Sequence, residues 1–240
     1  MLQPHSTPWS VAVVGSINLD LVARVSRIPA SGETLTGRDL QFIPGGKGAN
    51  QAVAAARLGA RVALFGRLGD DAFADTLRRG LVEGGIDDSH VLKTVGASSG
   101  VAWISVDDGG ANAITVIPGA NGCVTPEDIA QWSAEILRHD IVLLQLEIPL
   151  ESAAAVVNLA RQHGRRIVLD VAPVPTEPLP DELWAVDVLS PNQTEAELLT
   201  EVVVDSVNAA KQAASMLLER GPKAVVLKLG ELGALIAEQG

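Results

Sequence analysis

Ile43-Pro44-Gly45-Gly46-Lys47-Gly48-Ala49-Asn50-Gln51 decides how the rest of this chain is read. Gly45, Gly46 and Gly48 carry no side chain to stop the backbone from turning sharply or approaching a ligand. An apolar, alanine-rich run follows from Ala52 to Leu58, and Gly59 closes it. The order is loop, then helix, then glycine stop. A glycine loop that opens a helix presents free N–H groups and the positive end of the helix dipole to a polar or anionic ligand. Lys47 adds a cation, and Asn50 adds an amide one turn in. A tight turn before an ordinary core helix fits the same residues. The phosphate-loop pattern Gly, four residues, Gly-Lys-Ser/Thr is not met, because Lys47 precedes Gly48.

Upstream, Val11-Ala12-Val13-Val14-Gly15 is short and apolar throughout, as a buried parallel strand requires. Ser16-Ile17-Asn18-Leu19-Asp20 follows at once. Asn18 and Asp20 alternate with Ile17 and Leu19, so both polar side chains point the same way. An amide and an acid on one side suit hydroxyl groups; satisfying the backbone of a turn suits them equally. Downstream, strand-like runs at 61–65, 141–146, 167–171, 186–190 and 224–229 alternate with helical patterns at 72–83, 151–162 and 207–220. This alternation predicts a largely parallel sheet with helices on its faces. Ligands of such sheets bind beyond the carboxyl ends of the strands. Glu147, Asn192 with Glu195, and Gly230 with Gly233 stand at those ends. The spacing of Asn192 and Glu195 is that of a capping box, which explains both without a ligand. Asp71 and Thr125 read as helix caps. Taken together, the strand-end features predict a crevice with a polyol-binding half and a phosphate-binding half.

Two stretches break the rhythm. Residues 21–44 hold two extended pieces around a turn at Pro29 to Glu33. Residues 100–117 hold two more around Asp107-Asp108-Gly109-Gly110, an acidic glycine turn that signals a hairpin. A small second sheet built from distant segments follows from this pattern.

Apolar content of 47% and charged content of 20% over 240 residues indicate a packed α/β domain spanning 1–240. The net charge of -11 disfavours a nucleic-acid partner or an anionic membrane. No apolar run reaches the length of a membrane span. The single Cys123 forms no intrachain disulfide and fits a cytoplasmic location. Met1 to Trp9 lacks a signal pattern and reads as a frayed extension.

Gly-Gly-Lys-Gly-Ala-Asn-Gln-Ala-Val-Ala-Ala-Ala from Gly45 resembles the first signature of the ribokinase family of PfkB-type sugar kinases. Gly15 to Asp20 is similar to that family's opening strand and sugar-contact turn, and Gly32-Glu33-Thr34 to its lid turn. Gln145-Leu146-Glu147 is similar to a strand end with a further sugar contact. Pro191-Asn192-Gln193-Thr194-Glu195 matches its Asn-x-x-Glu motif, and Leu227 to Gly233 resembles its nucleotide-site turn. The resemblance implies a ribokinase-like three-layer α/β/α fold with a β lid at about 21–44 and 100–117, and a homodimer formed through that lid. It implies that Asn18, Asp20, Gly46, Lys47, Asn50 and Glu147 hold ribose hydroxyls. Asn192, Glu195 and Lys228 would lie along the phosphates of ATP, with Gly230 and Gly233 at the nucleotide and Glu195 reaching Mg2+ through bound water. The reaction implied is transfer of the γ-phosphoryl group of ATP to the 5-hydroxyl of D-ribose, with K+ as a further cofactor.

The family's second signature, an Asp-Thr-x-Gly-Ala-Gly-Asp-like segment whose last Asp is the base, has no counterpart after Gly233. The adenine pocket and the K+ site of ribokinases also use residues beyond Gly240. The expectation is therefore a shortened chain with no catalytic residue of its own and with apolar surface left uncovered. A kinase for another sugar or a nucleoside, or a non-catalytic sugar-binding protein, remains open on these residues.

Overall fold

The computed structural model describes residues 8–239; the reading of an N-terminal extension lies almost wholly outside them. The chain opens with β1 (Ser10–Val14) and then β2 (Asn18–Arg24) and β3 (Asp39–Gly45). Helix α1 (Lys47–Arg57), β4 (Arg61–Leu68), α2 (Ala72–Glu83) and β5 (Asp87–Lys93) follow. Next come β6 (Gly100–Val106), β7 (Asn112–Ile117), α3 (Pro126–Ile136), β8 (Ile141–Gln145), α4 (Leu150–Gln162) and β9 (Arg166–Asp170). The last elements are β10 (Val188–Leu189), α5 (Gln193–Thr200), α6 (Val207–Glu219), β11 (Ala224–Lys228) and β12 (Ala234–Glu238).

Eight strands form one sheet in the order β12-β11-β10-β9-β8-β1-β4-β5. All its pairings are parallel except β11 with β12. A second sheet of four strands has the order β3-β2-β6-β7. Its two antiparallel pairs are joined by a parallel ladder from Asn18↔Gly100 to Arg24↔Val106. The expected pair of hairpins is therefore one sheet. It takes in residues 18–45 rather than 21–44, because Asn18 already pairs with Gly45 and Gly100.

Alternate strand residues feed two cores. Ala12, Val14, Val142, Leu144, Ile167, Leu169, Val225 and Leu227 pack under α3, α4, α5 and α6. Val11, Val13, Val62 and Leu64 pack under α1 and α2. On this second face the helices cover only the β5-β4-β1-β8 half. Val168, Val188 and Val226 are half-buried there, and Ile236, paired with Val226, is 67% exposed.

The strand β5 escapes a reading by apolar pattern. Asp87-Asp88-Ser89-His90-Val91-Leu92-Lys93 is an edge strand that buries only Val91 fully, so a single apolar contact face suffices. His90 stacks on Phe65 with ring centroids 4.7 Å apart. The predicted caps are present: Asp71 accepts from the N–H groups of Phe73 and Ala74, and Thr125 forms a capping box with Asp128.

Candidate active site between strands β1 and β8

From β1 the sheet grows one way through β4 and β5, and from β8 the other way through β9 to β12. The order reverses between β1 and β8, and their carboxyl ends form the crevice where such sheets take ligands. The glycine loop is fixed there. Ser16 Oγ and the backbone N–H of Lys47 both donate to Glu147 Oε2, the latter at 3.0 Å. Gly48 N–H donates to Ser16 Oγ at 3.2 Å, and Ala49 N–H to Ser16 O at 2.9 Å. Glu147 thus ties the start of α1 to β1 across a sequence separation of 100 residues or more. Gly46 sits at φ +88°, and a Cβ there would meet Asn18 N at 2.7 Å. Only glycine suits that turn.

A cavity of about 610 Å³ opens above this lock, lined by Asn18, Lys47, Asn121, Glu147, Ile114 and Val116 among others. Its polar groups are held in place. Asn121, 1% exposed, accepts from Ile17 N–H at 2.9 Å and donates to Asn18 Oδ1 at 2.7 Å. The Asn18 amide group thereby keeps its nitrogen for a ligand. Asp20 lies on the same face of β2 but outside the cavity lining. Burial, and then the charge of Glu147, raise its carboxyl above the ordinary 3.8.

Toward β11 a chain of side chains runs along the strand ends. Gln145 donates to Gln51 at 2.6 Å, Gln51 to Asp170 at 3.0 Å, and Lys228 to the other oxygen of Asp170 at 2.7 Å. Asn192 bridges to Lys228 through the backbone. Asn192 and Glu195 form the capping box of α5: Asn192 Oδ1 accepts from Glu195 N–H, and Glu195 accepts from both the N–H and the side-chain amide of Asn192. Gly230 and Gly233 have φ +58° and +84° and make the turn between β11 and β12.

Magnesium keeps most of its water and takes one or two carboxylates plus phosphate oxygens. The donor set here is of that kind. No group of three or more metal-binding side chains occurs among the described residues, while Asp170 and Glu195 each retain free lone pairs beside the Asn192–Lys228 bridge.

Of the residues singled out from sequence, Asn18, Lys47 and Glu147 share one cavity, with Asp20 and Gly46 beside it. Asn192, Glu195 and Lys228 form a second group linked to the first through Gln51 and Asp170. Asn50 stands apart: it is exposed and does not line the cavity. Ser16, Gln51, Asn121, Gln145 and Asp170 escaped the sequence reading. Asp170 ends a strand as Glu147 does, so the same rule could have found it.

An open α/β sheet with a glycine loop stapled over its switch point defines a small-molecule enzyme of the doubly wound class. Comparison narrows this. The pfkB family of carbohydrate kinases matches residues 9–240, and the chain belongs to that family of ATP-dependent sugar kinases. It is 39% identical over 232 residues to a ribokinase of Haemophilus influenzae, covering 96% of this chain and 75% of that one. It is 38% identical over 225 residues to a deoxyribokinase of Salmonella typhi, covering 94% and 74%. The structure of Arabidopsis thaliana ribokinase complexed with ribose and ATP superposes with a TM-score of 0.88 at 34% identity, covering 98% of this chain and 76% of that one.

Proposed function

We propose that this chain holds the sugar and the phosphates in a ribokinase reaction, directing the γ-phosphoryl group of ATP to the 5-hydroxyl of D-ribose. The observation that carries the reading is the lock of Glu147 on Ser16 and Lys47, which gathers Asn18 and Lys47 in one cavity with Asp20 beside it on the same face of β2. In this reading the Asn18 amide donates to one ribose hydroxyl, and Asp20 accepts from another. The Lys47 ammonium, with no ion pair among the described residues, donates to a third. Asn50 adds an outer contact. Glu147, Asp170 and Glu195 already accept from protein donors, so the base is assigned to none of these carboxylates. Asn192, Lys228, Gly230 and Gly233 line the path of the nucleotide phosphates. Glu195 and Asp170 would hold magnesium through water, and the ion would supply charge neutralisation for the transferring phosphoryl group.

A pentose lacking the 2-hydroxyl is the second reading, favoured by the deoxyribokinase relative. Calorimetric titration with D-ribose and with 2-deoxy-D-ribose separates the two, since a site built to bond a hydroxyl rejects the analogue without it by large factors. Ribose binding that is lost in Asp20→Ala supports the assignment; equal affinity of wild type and Asp20→Ala refutes it. Ribose-dependent ADP formation, measured in parallel, tests whether the chain completes the reaction.

The four-stranded sheet serves in this reading as a lid that pairs with a second copy. Leu40, Phe42 and Trp103 share one face of it and are 44%, 57% and 45% exposed, apolar surface suited to an interface, while Ile114 and Val116 on the other face line the cavity. Light scattering should give a dimer, and Phe42→Asp should shift it toward monomer. The one cysteine, Cys123, is free, which supports a cytoplasmic setting. Among the described residues no helix is long and apolar enough to cross a membrane.

A further inference from the structure

At the opposite end of the sheet from the crevice, a cavity of about 520 Å³ opens where α4 and α6 run into β9 and β11. Its lining brings Arg161, Arg165, Arg166 and Lys223 together around a single carboxylate, Asp187. That carboxylate is already engaged, by Lys223 Nζ at 2.7 Å and by Ile167 N–H at 2.8 Å. The three guanidinium groups make no hydrogen bond or ion pair with the described residues, and Arg165 Nε is buried without a partner. Asp140 feels the Arg165 charge, but its carboxylate accepts from the Ser10 N–H and hydroxyl. Arg166 lies over the Trp9 ring, 5.8 Å from its centroid.

An ordinary role accounts for part of this. Arg161 stands in the last turn of α4, where a cation offsets the helix dipole. Arg165, Arg166 and Lys223 lie past the helix ends and gain little there. Cations gathered in one concavity repel one another, and Asp187, paired with Lys223, and Asp140, near Arg165, offset only part of that charge. Guanidinium groups present forked donors that match phosphate oxygens.

We propose that this cavity binds a small, multiply charged anion bearing phosphate, at a site separate from the sugar and nucleotide crevice. The size of the cavity admits a pyrophosphate or a sugar phosphate. The overall negative charge of the chain argues against a longer polyanion. The strand β9 begins at Arg166 and ends at Asp170, so the two sites lie about 13 Å apart along that strand.

The test is calorimetric titration of the full chain with pyrophosphate, for wild type, Arg161→Gln, Arg165→Gln and Lys228→Gln. Affinity should fall at least about tenfold in each arginine variant, whereas Lys228→Gln reports any binding of pyrophosphate in the nucleotide crevice, where that residue lies. Arg161 is exposed, so its variant keeps the fold even if Arg165→Gln does not. Competition by ribose 5-phosphate would identify a sugar phosphate as the source; competition by inorganic phosphate alone would identify the free ion. Absence of binding in wild type, or loss confined to Lys228→Gln, overturns the proposal.

Discussion

Gly48 and Gly80 both sit inside helices, and helix propensity alone says that alanine at either should stabilise the chain by about 0.5–1 kcal/mol. The structure separates them. A Cβ on Gly80 would meet only Pro44 Cγ and Cβ, at 3.5 and 3.6 Å, which is ordinary contact. A Cβ on Gly48 would lie 2.6 Å from Ser16 N, 2.7 Å from Gly15 C and 2.7 Å from Ser16 O. All three are backbone atoms of the turn after β1, and none can swing aside. Restoring ordinary contact requires α1 to retreat by about 0.8 Å. Overpacking of this kind costs about 1–3 kcal/mol. The retreat also stretches the bonds from Gly48 and Ala49 N–H to Ser16, each contributing about 1 kcal/mol. Set against the propensity gain, Gly48→Ala should destabilise by about 2–4 kcal/mol, while Gly80→Ala stabilises by up to about 1 kcal/mol. Urea unfolding followed by circular dichroism measures both. Ribose affinity should fall with the first variant only, since it moves Lys47 and Glu147 together. A Gly48→Ala chain that unfolds at the wild-type urea concentration or higher would refute the close approach of α1 to β1.

Asp20→Asn should stabilise the free chain at neutral pH by a few tenths of a kcal/mol, a small gain because the group is half exposed. A raised carboxyl holds its proton more tightly in the fold. Wild-type stability from this group therefore declines as pH rises from 3.8 through the raised value, and that decline should vanish in Asp20→Asn. Burial works to raise Asp128, but the hydrogen bonds from Arg67 and Thr125 outweigh it and hold the carboxyl below 3.8. Arg67→Met strands a carboxylate that is 7% exposed and should cost about 3–5 kcal/mol at pH 7, whereas Arg67→Met with Asp128→Leu should recover most of the loss in thermal melts. Asn192→Ala should cost about 1–2 kcal/mol by removing a helix cap and should also weaken ATP binding, while Asn192→Ser restores the cap. If Asn192→Ser recovers ATP affinity in full, capping alone explains the residue and its assignment to the phosphates fails.

The parallel sheet was legible because its strands are short apolar runs ended by glycine or an acid, as in Val11 to Gly15 and Ile141 to Glu147. The second sheet was legible from its two interruptions of the β-α rhythm, but its parallel seam was not. Nothing local in Asn18 announces Gly100 as its partner. The candidate site divides in the same way. Strand-end logic reaches Asn18, Asp20 and Glu147. It does not say that Glu147 accepts from the loop at Lys47, because that bond spans 100 residues and depends on how α1 docks. Asn121 reads as one more turn residue in Pro118-Gly119-Ala120-Asn121-Gly122, and only its burial distinguishes it. The edge strand β5 was invisible because a strand with one covered side needs few apolar residues.

The ladder that joins β2 to β6 carries a consequence for how the chain matures. Its partners are separated by 82 positions, and Asn18 is held in turn by Asn121. No amino-terminal fragment that stops short of Asn121 can fix the Asn18 side of the crevice, even though Asn18, Asp20 and Lys47 all lie within the first 50 residues. Contacts this distant are closed late and slowly, after shorter loops have formed. During synthesis one edge of β2 can pair with β3, while the other waits unpaired until β6 has emerged. Under the proposed function, competence to bind sugar waits for these long-range pairings, and sugar affinity would report on their completion.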